Sequence, residues 1–108
     1  MIGIFTLVLC VMKIRLTDIV ADTYTNSSGY VLYTFLKSVL NKNEIIELSF
    51  LDAAAPSSSF LNSSFGSLID EIGLENFLAV VKPRETTSTQ AKMLKHYIQA
   101  FKNGTASA

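Results

Sequence analysis

The chain has 108 residues, of which 49% are apolar and 17% charged, enough for one buried core and too few residues for two. Nine basic side chains balance nine acidic ones, which argues against a dedicated nucleic-acid binder with its usual basic excess. A single cysteine, Cys10, excludes an intramolecular disulfide and a cysteine-based zinc site; with a single histidine, His96, it also speaks against most metal centres and nucleophile–histidine enzymes.

Residues 1–12 carry no charge and run into Lys13 and Arg15. Twelve apolar residues fall short of the roughly 20 that span a bilayer. No basic residue precedes Ile2 and no Ala-x-Ala follows Cys10, so the pattern of an export signal is missing. The stretch reads as a strand, with an upstream extension before a start at Met12 as the alternative. The missing export pattern and the unpaired cysteine favour the cytoplasm.

Residues 13–20 read as a strand with Ile14 and Leu16 on one face, followed by Ile19 and Val20. The polar stretch 21–29 reads as a loop entering a helix. Over residues 27–42, Val31, Leu32, Phe35, Leu36, Val39 and Leu40 form a helical stripe, stopped by Asn41-Lys-Asn43. Residues 44–51 suit a central strand covered on both faces. After the connector ending at Pro56, a second helix begins near Phe60, with Leu61, Phe65, Leu68, Ile69 and Ile72 inward and Gly73 at its left-handed end. Residues 77–81 read as a buried strand closed by Lys82 and Pro83. Thr87-x-x-Gln90 has capping-box spacing and opens a last helix with Ala91, Leu94, Ile98 and Phe101 inward and Lys92, Lys95, Gln99 and Lys102 outward. Residues 105–108 should fray.

Strands alternating with helices imply an α/β fold in a single domain over residues 1–108: a small mixed, mainly parallel sheet of about four strands with three helices. Residues 1–81 carry four basic and eight acidic side chains (net −4), and residues 82–108 carry five basic and one acidic (net +4). The lysines of the last helix read first as its solvated face, and second as a basic surface for an acidic partner.

No catalytic constellation, metal site or cofactor site emerges. The glycines are isolated, so no phosphate loop is present; Ser64-Phe-Gly-Ser67 lacks the Gly-x-Ser-x-Gly pattern; and Asp70 and Glu71 are adjacent, so they point about 100° apart on a helix. The serine cluster is the exception. Ser57, Ser58 and Ser59 sit where the second helix begins, so at least one should cap it, Ser58 first and Ser59 next. The same position would receive a phosphate well, because helix N-termini offer free amides and a positive dipole end.

The frame Ile45-Ile-Glu-Leu-Ser-Phe50, then Ser57-Ser-Ser-Phe-Leu61 opening a helix, then Phe77 to Val81, resembles the STAS-like domain family of unknown function (DUF4325) over roughly residues 13–103. That family is similar to STAS domains, the fold of bacterial anti-sigma-factor antagonists. Ser58 and Ser59 match the phosphoserine stretch of those antagonists; Ser57 and Phe60 replace its Asp and Gly. Asn62 and Ser63 stand where an acidic pair is usual. The resemblance implies a non-enzymatic regulatory module of bacterial or phage type. It implies a protein partner of kinase or ATPase type, met through a surface containing Phe60, Asn62 and Ser63. Two alternatives stand beside it: a ligand binder or minor enzyme using the crevice at the strands' carboxyl ends, and a homodimer paired through the N-terminal strand.

Overall fold

The structure is a computed structural model and describes residues 11–40 and 45–104. Its elements are β1 (Val11–Arg15), α1 (Leu16–Ile19), α2 (Asn26–Leu40), β2 (Ile45–Ser49), α3 (residues 58–72), α4 (Leu74–Val80), β3 (Val81–Arg84) and α5 (Ser88–Lys102). Among the described residues this gives three strands and five helices, in place of the four and three expected. Residues 1–10 of the expected N-terminal strand, the Asn41-Lys-Asn43 stop and the 105–108 tail lie outside the described residues, while Val11 and Met12 open β1.

The sheet has the order β1-β2-β3 and is parallel throughout, with Ile14 opposite Leu48 and Leu48 opposite Pro83. Both crossovers step the same way across the sheet. A common right hand therefore places their helices on one face. Ile46, Leu48 and Val81 point into that layer and are buried. The other face carries Lys13, Arg15, Glu47, Ser49 and Arg84, and Lys13, Arg15 and Arg84 are exposed. Among the described residues β2 is thus covered on one face, not two, and Glu47 fits that: a carboxylate in mid-strand is costly to bury.

Two of the expected strands are partly helical. The first ends at Arg15, and Leu16–Ile19 forms a helical turn. Leu16, Ile19 and Val20 are spaced by three and four, which buries Leu16 and Val20 together on a turn of helix but not on a strand. The larger correction is at residues 77–81. Leu74–Val80 is a helix, and the strand is Val81–Arg84. Leu74, Phe77, Leu78 and Val81 share one helical face, with Phe77 buried and Ala79 exposed. Such a short apolar run satisfies both periods, and the tertiary fit decides. Pro83 is tolerated in β3 because β3 is an edge strand, where a missing amide leaves no neighbour unpaired.

In α2, Leu32 and Leu36 are fully buried, and Ser28 and Gly29 continue their line toward the N-terminus. Val31, expected on the stripe, is 46% exposed because α2 turns its Ser28/Gly29 side to the layer. α3 is one continuous helical rod in three parts: Ser58–Leu61, a wider π turn over Asn62–Gly66, and Ser67–Ile72. Leu61, Phe65, Leu68 and Ile69 are buried as the spacing predicts, with Ile72 half-buried. Gly73 has φ +90° and ψ 151°, so it turns the chain directly into α4 instead of closing a left-handed cap. The Thr87–Gln90 capping box forms in full. Ala91 faces solvent, and Gln90 takes the inward position instead, its amide reaching the Ala53 carbonyl at 2.7 Å. Leu94 is buried, and Ile98 and Phe101 are half-buried.

Phe65 sits at the centre of this layer, 1% exposed, with its ring centroid 5.0 Å from that of Phe77. Phe65→Ala should destabilise the fold by about 3–5 kcal/mol. Denaturant unfolding checks this, and a loss below about 1 kcal/mol would place Phe65 outside the core.

Candidate functional site

The start of α3 is fastened to the segment before α2. The Ser57 amide donates to the Thr23 carbonyl at 3.0 Å, and the Ser57 hydroxyl donates to the Tyr24 carbonyl at 3.0 Å. The Thr23 hydroxyl donates to the Ala54 carbonyl at 3.0 Å. One turn further on, the Ser63 hydroxyl donates to Asn26 Oδ1 at 3.0 Å. The 22–25 loop is itself stiffened. Asp22 accepts the amides of Tyr24 and Thr25 and the Thr25 hydroxyl, and Thr25 accepts the Ser28 amide at the start of α2. Those bonds, the Tyr24 amide's first, hold the Asp22 carboxyl below its ordinary pKa.

The cap of α3 is Ser57, one residue before the serine expected first. Its hydroxyl accepts the Phe60 amide at 3.1 Å and its carbonyl accepts the Leu61 amide. Ser57 wins because its backbone is extended (φ −86°, ψ 166°), whereas Ser58 is already helical. Ser58 and Ser59 stand exposed in the first turn. Phe60, expected at a partner surface, is fully buried and belongs to the core. Asn62 is exposed and accepts the Tyr97 hydroxyl at 2.8 Å, and Ser63 is half-buried. So the structure gathers Ser57, Ser58, Ser59, Asn62 and Ser63 on one end of α3 and removes Phe60 from the set.

Ser58 lines a cleft of about 390 Å³ together with Pro56, Leu61, Lys92, Met93, His96 and Tyr97. The cleft exists because α5 docks on α3 through Tyr97. A Cβ on Gly66 would fall 2.5 Å from the Tyr97 hydroxyl, so a side chain at Gly66 would displace that hydroxyl from its place over α3. Burial, aided by the Asp70 charge, pushes the Tyr97 hydroxyl's pKa up to about 12. Lys92, Lys95, His96 and Lys102 face solvent, so the basic side of α5 is open along its length.

Two exposed tyrosines flank the loop and helix that pack on α3. Tyr24 and Tyr30 are each 63% exposed, although Tyr24 belongs to the loop tied to Ser57 and Tyr30 to the first turns of α2. Tyr30 leans on Tyr33 at 5.8 Å between ring centroids. Tyr33 in turn donates to Glu71, which pairs with Lys37 at 2.9 Å. The hydrogen bond to Glu71 raises the Tyr33 hydroxyl's pKa, and the same bond, with Lys37, lowers that of Glu71. A signal for Tyr30 was available: Ser27, Tyr30, Thr34 and Lys37 recur at helical spacing opposite Leu32 and Leu36.

Among the described residues, no group of three or more His, Cys, Asp or Glu side chains is placed to hold a metal ion, and no helix is long and apolar enough to cross a membrane. The chain belongs to the STAS-like domain family of unknown function (DUF4325), whose family model matches residues 28–91. That span runs from the buried Ser28 of α2 through the serine cluster into α5. No curated protein and no solved structure matches the chain.

The capping assignment makes a sharp comparison. Ser57→Ala should cost about 1–2 kcal/mol, since it removes both the cap and the bond to the Tyr24 carbonyl. Ser58→Ala should stay within about 0.5 kcal/mol of the parent. Denaturant titration of the two variants reads the order directly, and the reverse order would move the cap to Ser58.

Proposed function

We propose that this domain is a non-enzymatic regulatory module that binds a protein partner through the start of α3 and the exposed rings of Tyr24 and Tyr30. The contact surface would comprise Ser58, Ser59, Asn62, Tyr24 and Tyr30. The observation that carries this reading is the exposure of Tyr24, whose carbonyl accepts the Ser57 hydroxyl at the capped serine cluster, with Tyr30 equally exposed further along α2. Each ring keeps a large apolar surface in water, and tyrosines of this kind commonly anchor interfaces. The first-turn amides of α3 and the positive end of its dipole lie in the same surface.

Phosphorylation of Ser58 is the switch in this proposal. Ser58 is exposed, and it shares its cleft with Lys92 and His96. A phosphate there would bring a charge of about −2 into a cleft whose far wall is basic. The partner would therefore meet a different surface before and after modification. The setting we propose is signalling or transcription regulation, with a kinase or ATPase-type regulator as the partner. The cytoplasm is the compartment we assign to it, since Cys10 has no second cysteine to pair with.

The test is a binding titration against a partner recovered by affinity capture, with melting curves alongside. Tyr30→Ala should weaken binding by about tenfold or more while keeping the melting temperature. Ser58→Asp should keep the fold, because a negative charge suits a helix N-terminus, and should change the affinity. Wild-type affinity in both folded variants would remove this surface from the partner contact.

A further inference from the structure

The sheet face turned away from the helices holds a second, independent feature. Its side chains fall into two rows across the three strands. In the lower row Lys13, Glu47 and Lys82 stand side by side, so charge alternates in sign. In the upper row Arg15, Ser49 and Arg84 stand side by side, two guanidinium groups flanking one hydroxyl. This row lies at the carboxyl end of all three strands, where open parallel sheets place their ligands. A cavity of about 380 Å³ opens there, lined by Lys13, Ile14, Arg15, Glu47, Ser49, Arg84 and Glu85.

The polar groups of this cavity are unevenly satisfied. Arg84 pairs with Glu47 at 3.4 Å and also donates to the Pro83 carbonyl. Ser49 is buried; it donates to the Glu85 carboxylate and accepts the Leu51 amide at 3.1 Å. Lys82 is drawn away, its ammonium donating to the Leu78 carbonyl at 2.6 Å. That leaves Lys13 and Arg15, two residues apart on one face of β1, with no acceptor among the described residues. Glu85 holds φ +54°, a conformation rarely adopted outside glycine, and its carboxylate rests on Ser49 at the rim of the cavity.

We propose that this cavity binds a small phosphate monoester carrying hydroxyl groups, such as a sugar phosphate. The two guanidinium groups select the phosphoryl group: the lining carries Lys13, Arg15 and Arg84 against Glu47 and Glu85, a net charge of +1, and Lys13 and Arg15 have no acceptor among the described residues. Arg15 and Arg84 stand two strand spacings apart, about 10 Å at their backbones, so their long side chains can close on one tetrahedral anion from opposite sides. A guanidinium presents a planar fork that matches phosphate oxygens, which Lys13 supplements as a point charge. Glu85 would repel a bare anion. It suits a ligand whose hydroxyl donates to it while the phosphoryl group lies between the arginines. The site is separate from the α3 surface, being on the opposite face of the sheet.

The experiment is an amide-resolved NMR titration of the full chain at low ionic strength, with ribose 5-phosphate, inorganic phosphate and ribose as separate probes. Low salt keeps exposed charges from being screened. Ribose 5-phosphate should give saturable shifts at Arg15, Ser49, Arg84 and Glu85, and ribose none. Inorganic phosphate should bind about tenfold more weakly, because it offers Glu85 no sugar hydroxyl. Arg15→Gln should weaken ribose 5-phosphate by about tenfold or more with an unchanged melting curve, since Arg15 is exposed. Lys92→Gln, on the basic face of α5, should leave binding as it is. The site is refuted if ribose 5-phosphate gives no saturable shifts, if the shifts centre on the α5 lysines, or if Arg15→Gln binds as wild type. Equal affinity for inorganic phosphate would refute the sugar-recognition role of Glu85.

Discussion

The constraint on which the molecule most depends is the close approach of two backbones, residues 23–29 against residues 54–63. It is closest at Gly29. A Cβ built there would sit 2.6 Å from the Phe60 carbonyl oxygen and 2.7 Å from the Ser63 Cβ, so only glycine lets α2 lie this close to α3. Hydrogen bonds extend the contact to both sides, from Thr23 to Ala54, from Ser57 to Thr23 and Tyr24, and from Ser63 to Asn26. The two crossover helices are thereby locked as one layer, which buries Ile46, Leu48 and Val81.

Much else follows from that contact. With α2 pressed on α3, Phe60 must point into the core, while Ser58 and Ser59 are left outside. The loop that supplies the Thr23 and Tyr24 carbonyls cannot bury the Tyr24 ring, which stays in solvent beside the serines. The π turn at Asn62–Gly66 adds to this: it presents Asn62 outward to Tyr97 and places Gly66 under the same hydroxyl, so α5 closes the cleft that Ser58 lines. Because the helical packing of the described residues is on one side, the other face of the sheet carries charge.

What could be read from the sequence was what is decided locally or by one strong period. The Thr87–Gln90 box needs only four residues and formed as spaced. The stripe Leu61, Phe65, Leu68, Ile69 survives the π turn because its residues lie on both sides of the same wide apolar face. The misreadings were decided at longer range. Residues 74–81 fit a strand or a helix by pattern, and the packing of Phe77 on Phe65 selects the helix. Ser57 and Ser58 are equal as caps on paper; the bonds from Ser57 to Thr23 and Tyr24 choose between them. Phe60, expected at a partner surface, is buried instead, and nothing local in the sequence tells that. A glycine inside a helical stretch was the overlooked clue, because Gly29 has no reason to be there except a neighbouring backbone.

Gly29→Ala measures that constraint most directly, because two effects of opposite sign compete. In an unencumbered helix interior, replacing glycine by alanine stabilises by about 1 kcal/mol. Here the added methyl would meet a backbone carbonyl that cannot swing aside. Denaturant unfolding combined with amide hydrogen exchange should show a loss of about 1–3 kcal/mol and reduced protection at the Ser57 and Phe60 amides, the two that report the fastening. A variant as stable as the parent or more so, with those amides still protected, would contradict the claim that the approach at Gly29 sets the arrangement of α2 and α3.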